Sequence, residues 1–172
     1  GTPSQLAIYT FASSAGTKRD ATSTATVSSA LPLHTFINGL GTPNGYTNWD
    51  AGIYQVPSGF DLAIVLTDGA PTTWDSAPGT GGDSYFKYAE EGIFSANALK
   101  SLGTRVVGLG VGIDGSEANL RAISGTTAGS DYFLASTENF DDVLTQLATG
   151  SCNTQLTIQK QIQDPTGAVL SN

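Results

Sequence analysis

The 172-residue chain contains no methionine, one cysteine, one histidine and only seven basic residues. Its 15 acidic residues give a net charge of -8. A chain this acidic is a poor partner for nucleic acid, which needs a basic face, or for an anionic membrane surface. No apolar run approaches the roughly 18 residues that a membrane-spanning helix needs. A start at Gly1 and the lack of methionine predict a processed or excised piece of a longer protein.

The composition is that of a folded domain and not of a disordered chain, because 39% of the residues are hydrophobic and 13% are charged. The length fits one domain with a short extension. Abundant threonine, serine and glycine, together with a single cysteine, favour an extracellular location.

Catalytic machinery is also lacking. The only histidine, His34, precedes an apolar helical face, and no G-x-S-x-G motif is present. The run from Gly110 to Gly115 matches G-x-G-x-x-G, but it follows a late strand, whereas the dinucleotide fingerprint belongs to the first strand-helix turn. We therefore predict that the protein is not an enzyme, and we interpret these glycines as close packing of a strand against helices.

Strand and helix patterns alternate along the chain, which predicts an α/β fold with a mainly parallel sheet. The run from Leu62 to Leu66 is continuously apolar, as expected for a strand buried on both faces. The segment from Ser13 to Ser29 is predicted to be a loop with a short edge strand near residues 25–28. The remaining predicted strands cover 5–12, 105–111 and 132–134, and the predicted helices include Leu33 to Leu40, 50–56, a long helix ending near Leu102, and a final helix through Leu147.

After Gly150 the pattern changes to alternation of apolar and polar residues from Gln155 to Gln163, typical of a half-buried strand. A turn signal follows at Asp164-Pro165-Thr166-Gly167. We therefore predict two units, an α/β domain over residues 1–152 and the start of a β-rich module over residues 153–172.

Two oxygen-bearing side chains mark a candidate site. Asp68 directly follows the apolar strand, and ligands of open α/β sheets bind beyond the carboxyl ends of the strands. Thr47 lies in a glycine-rich loop that precedes this strand. A carboxylate and a hydroxyl are hard oxygen ligands of the kind that Mg²⁺ binds. Taken alone, Asp68-Gly69 is equally well a turn pair.

The segments Gly45-Tyr46-Thr47-Asn48-Trp49-Asp50-Ala51-Gly52-Ile53 and Asp68-Gly69-Ala70-Pro71-Thr72 resemble the von Willebrand factor A family. The resemblance extends from Leu6 to Cys152 and is closest to bacterial surface adhesins. It implies a three-layer, Rossmann-like fold with a metal-ion-dependent adhesion site. The family's Asp-x-Ser-x-Ser run, which ends its first strand, does not occur in these 172 residues.

The resemblance assigns roles to particular residues. Thr47 would bind Mg²⁺ (or Mn²⁺ or Ca²⁺) directly, and Asp68 directly or through water, while Trp49, Trp74 and Asp75 would shape the contact with a ligand. Two protein oxygens are far from the six ligands of Mg²⁺, so we predict weak metal binding, or none, by this polypeptide alone.

The implied function is adhesion to an extracellular protein or glycan by a Gram-positive cell-wall or pilus-tip protein. The alternative is a structural spacer whose metal site is not functional.

In the family the strand before Asp-x-Ser-x-Ser is central, between the strands that correspond here to Leu6–Phe11 and Leu62–Leu66. The resemblance therefore implies that a cut upstream stretch stays bound, that a second polypeptide supplies the strand, or that the sheet has closed up. Cys152 is either a free buried thiol or half of a disulfide to a residue outside this sequence.

Overall fold

The computed structural model describes residues 4–41, 45–74, 85–112 and 117–152. Five strands and five helices lie in this part of the chain, and strands and helices alternate from α2 onwards. They are β1 (Gln5–Phe11), β2 (Ala15–Ser23), α1 (Val27–Asn38), α2 (Trp49–Tyr54), β3 (Leu62–Thr67), α3 (Tyr85–Ser101), β4 (Arg105–Val111), α4 (Glu117–Ser124), β5 (Tyr132–Ala135) and α5 (Phe140–Cys152). The second predicted unit, residues 153–172, lies outside the described residues.

The strands form two separate sheets. β3, β4 and β5 make a parallel sheet in that order, and β1 pairs with β2 as an antiparallel hairpin. Helices connect the parallel strands, as parallel pairing requires. The prediction of an α/β fold with a parallel sheet between helices is confirmed, and its three strands lie at the predicted places in the sequence. The model is compatible with a Rossmann-like arrangement at this coarse level.

Two apolar clusters cover the two faces of the parallel sheet. The larger joins α2, α3 and α4 to one face, and its members include Trp49, Ile53, Val65, Ala96, Leu99, Val106, Leu120 and Ile123. The smaller packs α5 on the other face through Val107, Leu109, Phe133, Ala135 and Leu147. Gly108 is fitted closely to α4, because a Cβ atom there would lie 2.9 Å from Leu120 Cδ2. Gly108 precedes the G-x-G-x-x-G run, however, and at Gly112 of that run a Cβ atom would meet nothing within 4 Å. Close packing against a helix therefore does not explain Gly112, whose positive φ of 63° favours glycine instead.

The prediction for residues 13–29 is wrong. Residues 15–23 form β2, and the predicted edge strand at 25–28 overlaps the start of α1. Most side chains of β2 are exposed, so the strand carries no apolar alternation and is held by its backbone pairing with β1. Thr26 begins α1 through a capping box, in which its hydroxyl accepts from the Ser29 N–H.

The prediction that β3 is buried on both faces is also wrong. Val65 is buried in the larger cluster, but Ile64 is 42% exposed and Leu66 is 48% exposed on the opposite face. Their register partners on β4, Val107 and Leu109, are fully buried because α5 covers them. The cover on this face therefore reaches Leu62, which packs against the smaller cluster, but leaves Ile64 and Leu66 exposed.

Within the described ranges, the structure has no helix that is both long enough and apolar enough to cross a membrane.

Candidate metal-binding edge of the sheet

Hydrogen bonds of the Thr67 hydroxyl fix the turn that contains Asp68. Thr67, the last residue of β3, is buried, and its Oγ1 donates to the Gly69 carbonyl at 2.9 Å. The same oxygen accepts from the Gly69 N–H and from the indole N–H of Trp49, each at 3.3 Å. Because Thr67 is bonded to the residue beyond Asp68, the chain bends at Asp68, whose side chain is exposed at the carboxyl end of the strand.

Backbone hydrogen bonds hold the loop with Thr47 against the segment that follows Asp68. The Thr47 carbonyl accepts from the N–H groups of Thr72 at 2.8 Å and Thr73 at 3.3 Å. The Thr47 N–H donates to Thr72 Oγ1 at 2.8 Å. The Thr47 hydroxyl lies 3.7 Å from the point that a Cβ atom of Gly69 would occupy. The structure therefore brings Thr47 next to the Asp68-Gly69 turn, as the sequence predicted.

Asn48 ties this loop to β1, a role that the sequence analysis missed. Its backbone N–H donates to the Ala12 carbonyl at 2.9 Å, and its side-chain amide donates to the Ser13 carbonyl at 3.0 Å. Its Oδ1 accepts from the Ala51 N–H at 2.9 Å and so caps α2. An asparagine just before a short helical run is a recognisable N-cap signal, whereas the contacts with β1 have no signal in the local sequence.

Among the polar groups described at this edge, most hydroxyls already have protein partners. Thr67 and Thr72 are bonded as above, and Ser13 Oγ accepts from the Tyr46 N–H at 2.9 Å. By contrast, the Thr47 hydroxyl and the Asp68 carboxylate make no hydrogen bond or ion pair with any described residue. Both predicted metal ligands are thus hard oxygens free to bind a cation, and their chemistry fits Mg²⁺ as part of a site.

These two oxygens do not make a complete site. The described residues contain no group of three or more histidine, cysteine, aspartate or glutamate side chains that could hold a metal ion. Mg²⁺ requires roughly six oxygen ligands in near-octahedral geometry. Beyond Thr47 and Asp68, most of these ligands must be water molecules or groups outside the described residues.

The two tryptophans occupy different environments. Trp49 is fully buried in the larger cluster, which favours support of Thr67 over direct contact with a ligand. Trp74 is partly buried, and the ammonium of Lys87 at the start of α3 lies 3.8 Å from its ring centroid. This cation–π contact anchors the loop after Asp68 to α3. Asp75, the third predicted ligand contact, lies outside the described residues.

Of the other residues that the sequence analysis discussed, Gly110 lies at this edge as the register partner of Thr67. Cys152 is the last residue of α5, and its proposed disulfide stays a prediction. His34 is exposed on α1. Gly110 and Gly112 lie at the end of β4, and part of the G-x-G-x-x-G run falls outside the described residues.

No protein-family model matches this chain, and no curated protein sequence matches it. The likeness to the von Willebrand factor A family therefore rests on the sequence segments quoted above alone.

Proposed function

We propose that this chain is a von Willebrand A-type adhesion module that binds an extracellular ligand through a divalent cation at the carboxyl edge of its parallel sheet. The supporting observation is a contrast between the hydroxyl and carboxylate groups at this edge. The hydroxyls of Thr67, Thr72 and Ser13 are bonded to protein groups. The Thr47 hydroxyl, which lies beside Gly69, and the carboxylate of Asp68 make no hydrogen bond with any described residue.

The metal would join protein and ligand by coordination. Thr47 would supply a neutral hydroxyl oxygen and Asp68 an anionic carboxylate, directly or through water. Mg²⁺ retains water wherever protein ligands are lacking, which leaves positions that a carboxylate or hydroxyl of a ligand can take. A protein or a glycan can present such a group. The module would act outside the cell on a cell wall or pilus, and a second polypeptide is a candidate source of the remaining ligands.

Manganese broadening of NMR signals tests the site. Substoichiometric Mn²⁺ should broaden the amide signals of Thr47, Asp68 and Gly69 first, because a paramagnetic ion affects nearby nuclei most. Asp68→Asn should abolish this local broadening. Asp61→Asn is the matched control, since Asp61 is an exposed aspartate at the other end of β3. It should leave the broadening unchanged.

Affinity gives a second readout. By calorimetry, Mg²⁺ should bind this chain more weakly than about 1 mM, because two protein ligands out of roughly six are present. Binding at 1:1 with millimolar or tighter affinity that Asp68→Ala abolishes would show that the chain holds a complete site, against our prediction. Broadening spread evenly over acidic surface residues would remove the basis for a metal site here.

The structural spacer remains the alternative function. A spacer would show no localised Mn²⁺ effect, so the same experiment separates the two functions.

A further inference from the structure

A groove lies between α2 and α3, and the turn that joins β1 to β2 borders it. Its volume is about 710 Å³, and both helices contribute side chains to its lining. Ligand sites in proteins have volumes of about 300–1,000 Å³, so the groove is large enough to hold a side chain or a short peptide segment.

Hydrogen bonds hold the walls of this groove in place. The Ser95 hydroxyl of α3 donates to Asp50 Oδ1 of α2 at 2.5 Å, which joins the two helices. The side-chain amide of Gln55, at the end of α2, donates to the Thr10 carbonyl of β1 at 2.9 Å. Because these elements are fixed to one another, a ligand would find the groove already formed, which lowers the free-energy cost of binding.

Each helix places one carboxylate and one aromatic ring at the groove. Tyr54 follows Asp50 by four residues on α2, and both line the groove. Phe94 follows Glu91 by three residues on α3, and both line it as well. These spacings put the two members of each pair on one helical face. Tyr54 is 81% exposed and Phe94 is 56% exposed, and exposed aromatic rings of this kind are typical of binding surfaces.

The charge of the groove indicates what it binds. No lysine or arginine is among the described residues that line it. Asp50 is hydrogen bonded to Ser95, whereas the Glu91 carboxylate makes no hydrogen bond or ion pair with any described residue. A cation is attracted both to a carboxylate and to the face of an aromatic ring. A guanidinium suits this combination better than an ammonium, because it is planar, stacks on rings and pairs with a carboxylate through two parallel hydrogen bonds.

We propose that the groove between α2 and α3 binds an arginine side chain presented by a segment of a partner protein. The guanidinium pairs with Glu91 and lies against the rings of Tyr54 and Phe94. The methylene groups of the arginine cover Ala51 and Ala98 in the walls. The net charge of -8 favours encounter with a basic segment. This surface needs no metal ion, so it is additional to the proposed site at the carboxyl edge and does not depend on it.

The experiment titrates the peptide acetyl-Arg-Gly-Arg-amide into the ¹⁵N-labelled whole chain in EDTA. The amide signals of Ala51, Tyr54, Glu91 and Phe94 should shift saturably. The same peptide with citrulline in place of arginine has nearly the same shape but no charge, and it should bind at least about tenfold more weakly. The lysine peptide should bind about threefold more weakly, because it cannot stack and pair at once. Equal binding of the citrulline and arginine peptides would overturn the proposal.

Matched variants on α3 test whether binding occurs in the groove. Glu91→Gln should weaken binding of the arginine peptide at least about fivefold, whereas Glu90→Gln, which removes the same charge outside the groove lining, should not. Phe94→Ala should weaken binding about threefold. Phe86→Ala should have no effect, because Phe86 is 72% exposed but does not line the groove. Circular dichroism checks that all four variants fold.

Other outcomes would overturn the proposal. Equal weakening by the two glutamate variants would mean that the peptide follows general negative charge and not this groove. Groove signals that shift with protein concentration, without peptide, would identify a second copy as the occupant. Binding that appears only after truncation at Cys152 would show that residues 153–172 occupy the groove in the whole chain.

The same measurements separate this proposal from the proposed metal site. Binding of the arginine peptide in EDTA, without any localised Mn²⁺ effect, would support the arginine site and reject the metal site. Localised Mn²⁺ broadening without binding of the arginine peptide would reject the arginine site and leave the proposed function standing.

Discussion

Replacement of Trp49 tests whether this residue supports the site from the core. Its indole is fully buried among Ile53, Val65 and Leu99, and its N–H donates to Thr67. Truncation of a buried tryptophan to alanine costs about 3–5 kcal/mol. With a urea dependence of about 2 kcal/mol/M for a domain of this size, Trp49→Ala should lower the unfolding midpoint by about 1.5–2.5 M.

The milder variant separates packing from the hydrogen bond. Trp49→Phe keeps an aromatic ring but removes the N–H that reaches Thr67, a bond whose net contribution is about 1 kcal/mol. Together with the smaller ring, the expected loss is about 1.5–3 kcal/mol. Trp74→Ala is the comparison. It removes a partly buried ring and its contact with Lys87, worth about 0.5–1 kcal/mol at an exposed site.

The assay is urea unfolding followed by far-ultraviolet circular dichroism, which does not depend on either tryptophan as a probe. The order of stability should be wild type, Trp74→Ala, Trp49→Phe and Trp49→Ala. If Trp49→Ala costs less than about 1 kcal/mol, the indole is not a core residue and the assignment of a supporting role to Trp49 fails.

Gly52→Ala should lower the unfolding midpoint although alanine favours helix, because the new Cβ atom would lie 2.6 Å from Cδ1 of Phe11. Gly150 also lies in a helix, but no atom lies within 4 Å of its new Cβ, so Gly150→Ala should raise stability by about 0.5–1 kcal/mol. Equal effects of the two variants in chemical denaturation would contradict the close packing of Gly52 against Phe11. The hydrogen bond from Tyr132 to Glu117, at 2.6 Å, with burial raises the pKa of Tyr132 above its ordinary value of 10.0. The contribution of this hydrogen bond to stability is therefore complete below about pH 10 and is lost as pH rises through the higher folded pKa. The free energy of unfolding, measured in urea at several alkaline pH values, should therefore depend less on pH in Tyr132→Phe than in the wild type.

Elements with an apolar period were predictable from the sequence. The helical spacing of Tyr85, Ala89, Ile93, Ala96 and Leu99 predicts the buried face of the long helix. In α3, Ala89, Ala96 and Leu99 are buried and Ile93 is partly buried against the larger cluster. A glycine just after the helix, Gly103, is the expected stop signal, and its φ is 92°, a conformation that glycine adopts without a steric penalty. These features depend on local spacing and backbone freedom, which the sequence contains directly.

β2 could not be predicted in this way. Its residues include Lys18, Arg19 and Asp20, all exposed, and nothing in their order distinguishes a strand from a polar loop. The strand exists because β1 offers a backbone partner across a short turn, which is a property of the pair. For the same reason the sequence located Thr47 and Asp68 but not the bond from Asn48 to Ala12, which joins residues 36 positions apart.

The wrong prediction for β3 is the most informative, because the strand is apolar in composition but part of it is exposed to solvent. A six-residue strand with Ile64 and Leu66 on one face has the composition of a strand in the middle of a covered sheet. The structure instead gives it one paired edge and one uncovered face. Exposed apolar strand edges promote unwanted association, and proteins usually protect them with charge, proline or a covering element. In the part of the chain that the structure describes, no charge, proline or covering element protects Ile64 or Leu66, so the sequence of β3 suits a paired and covered strand better than a free one.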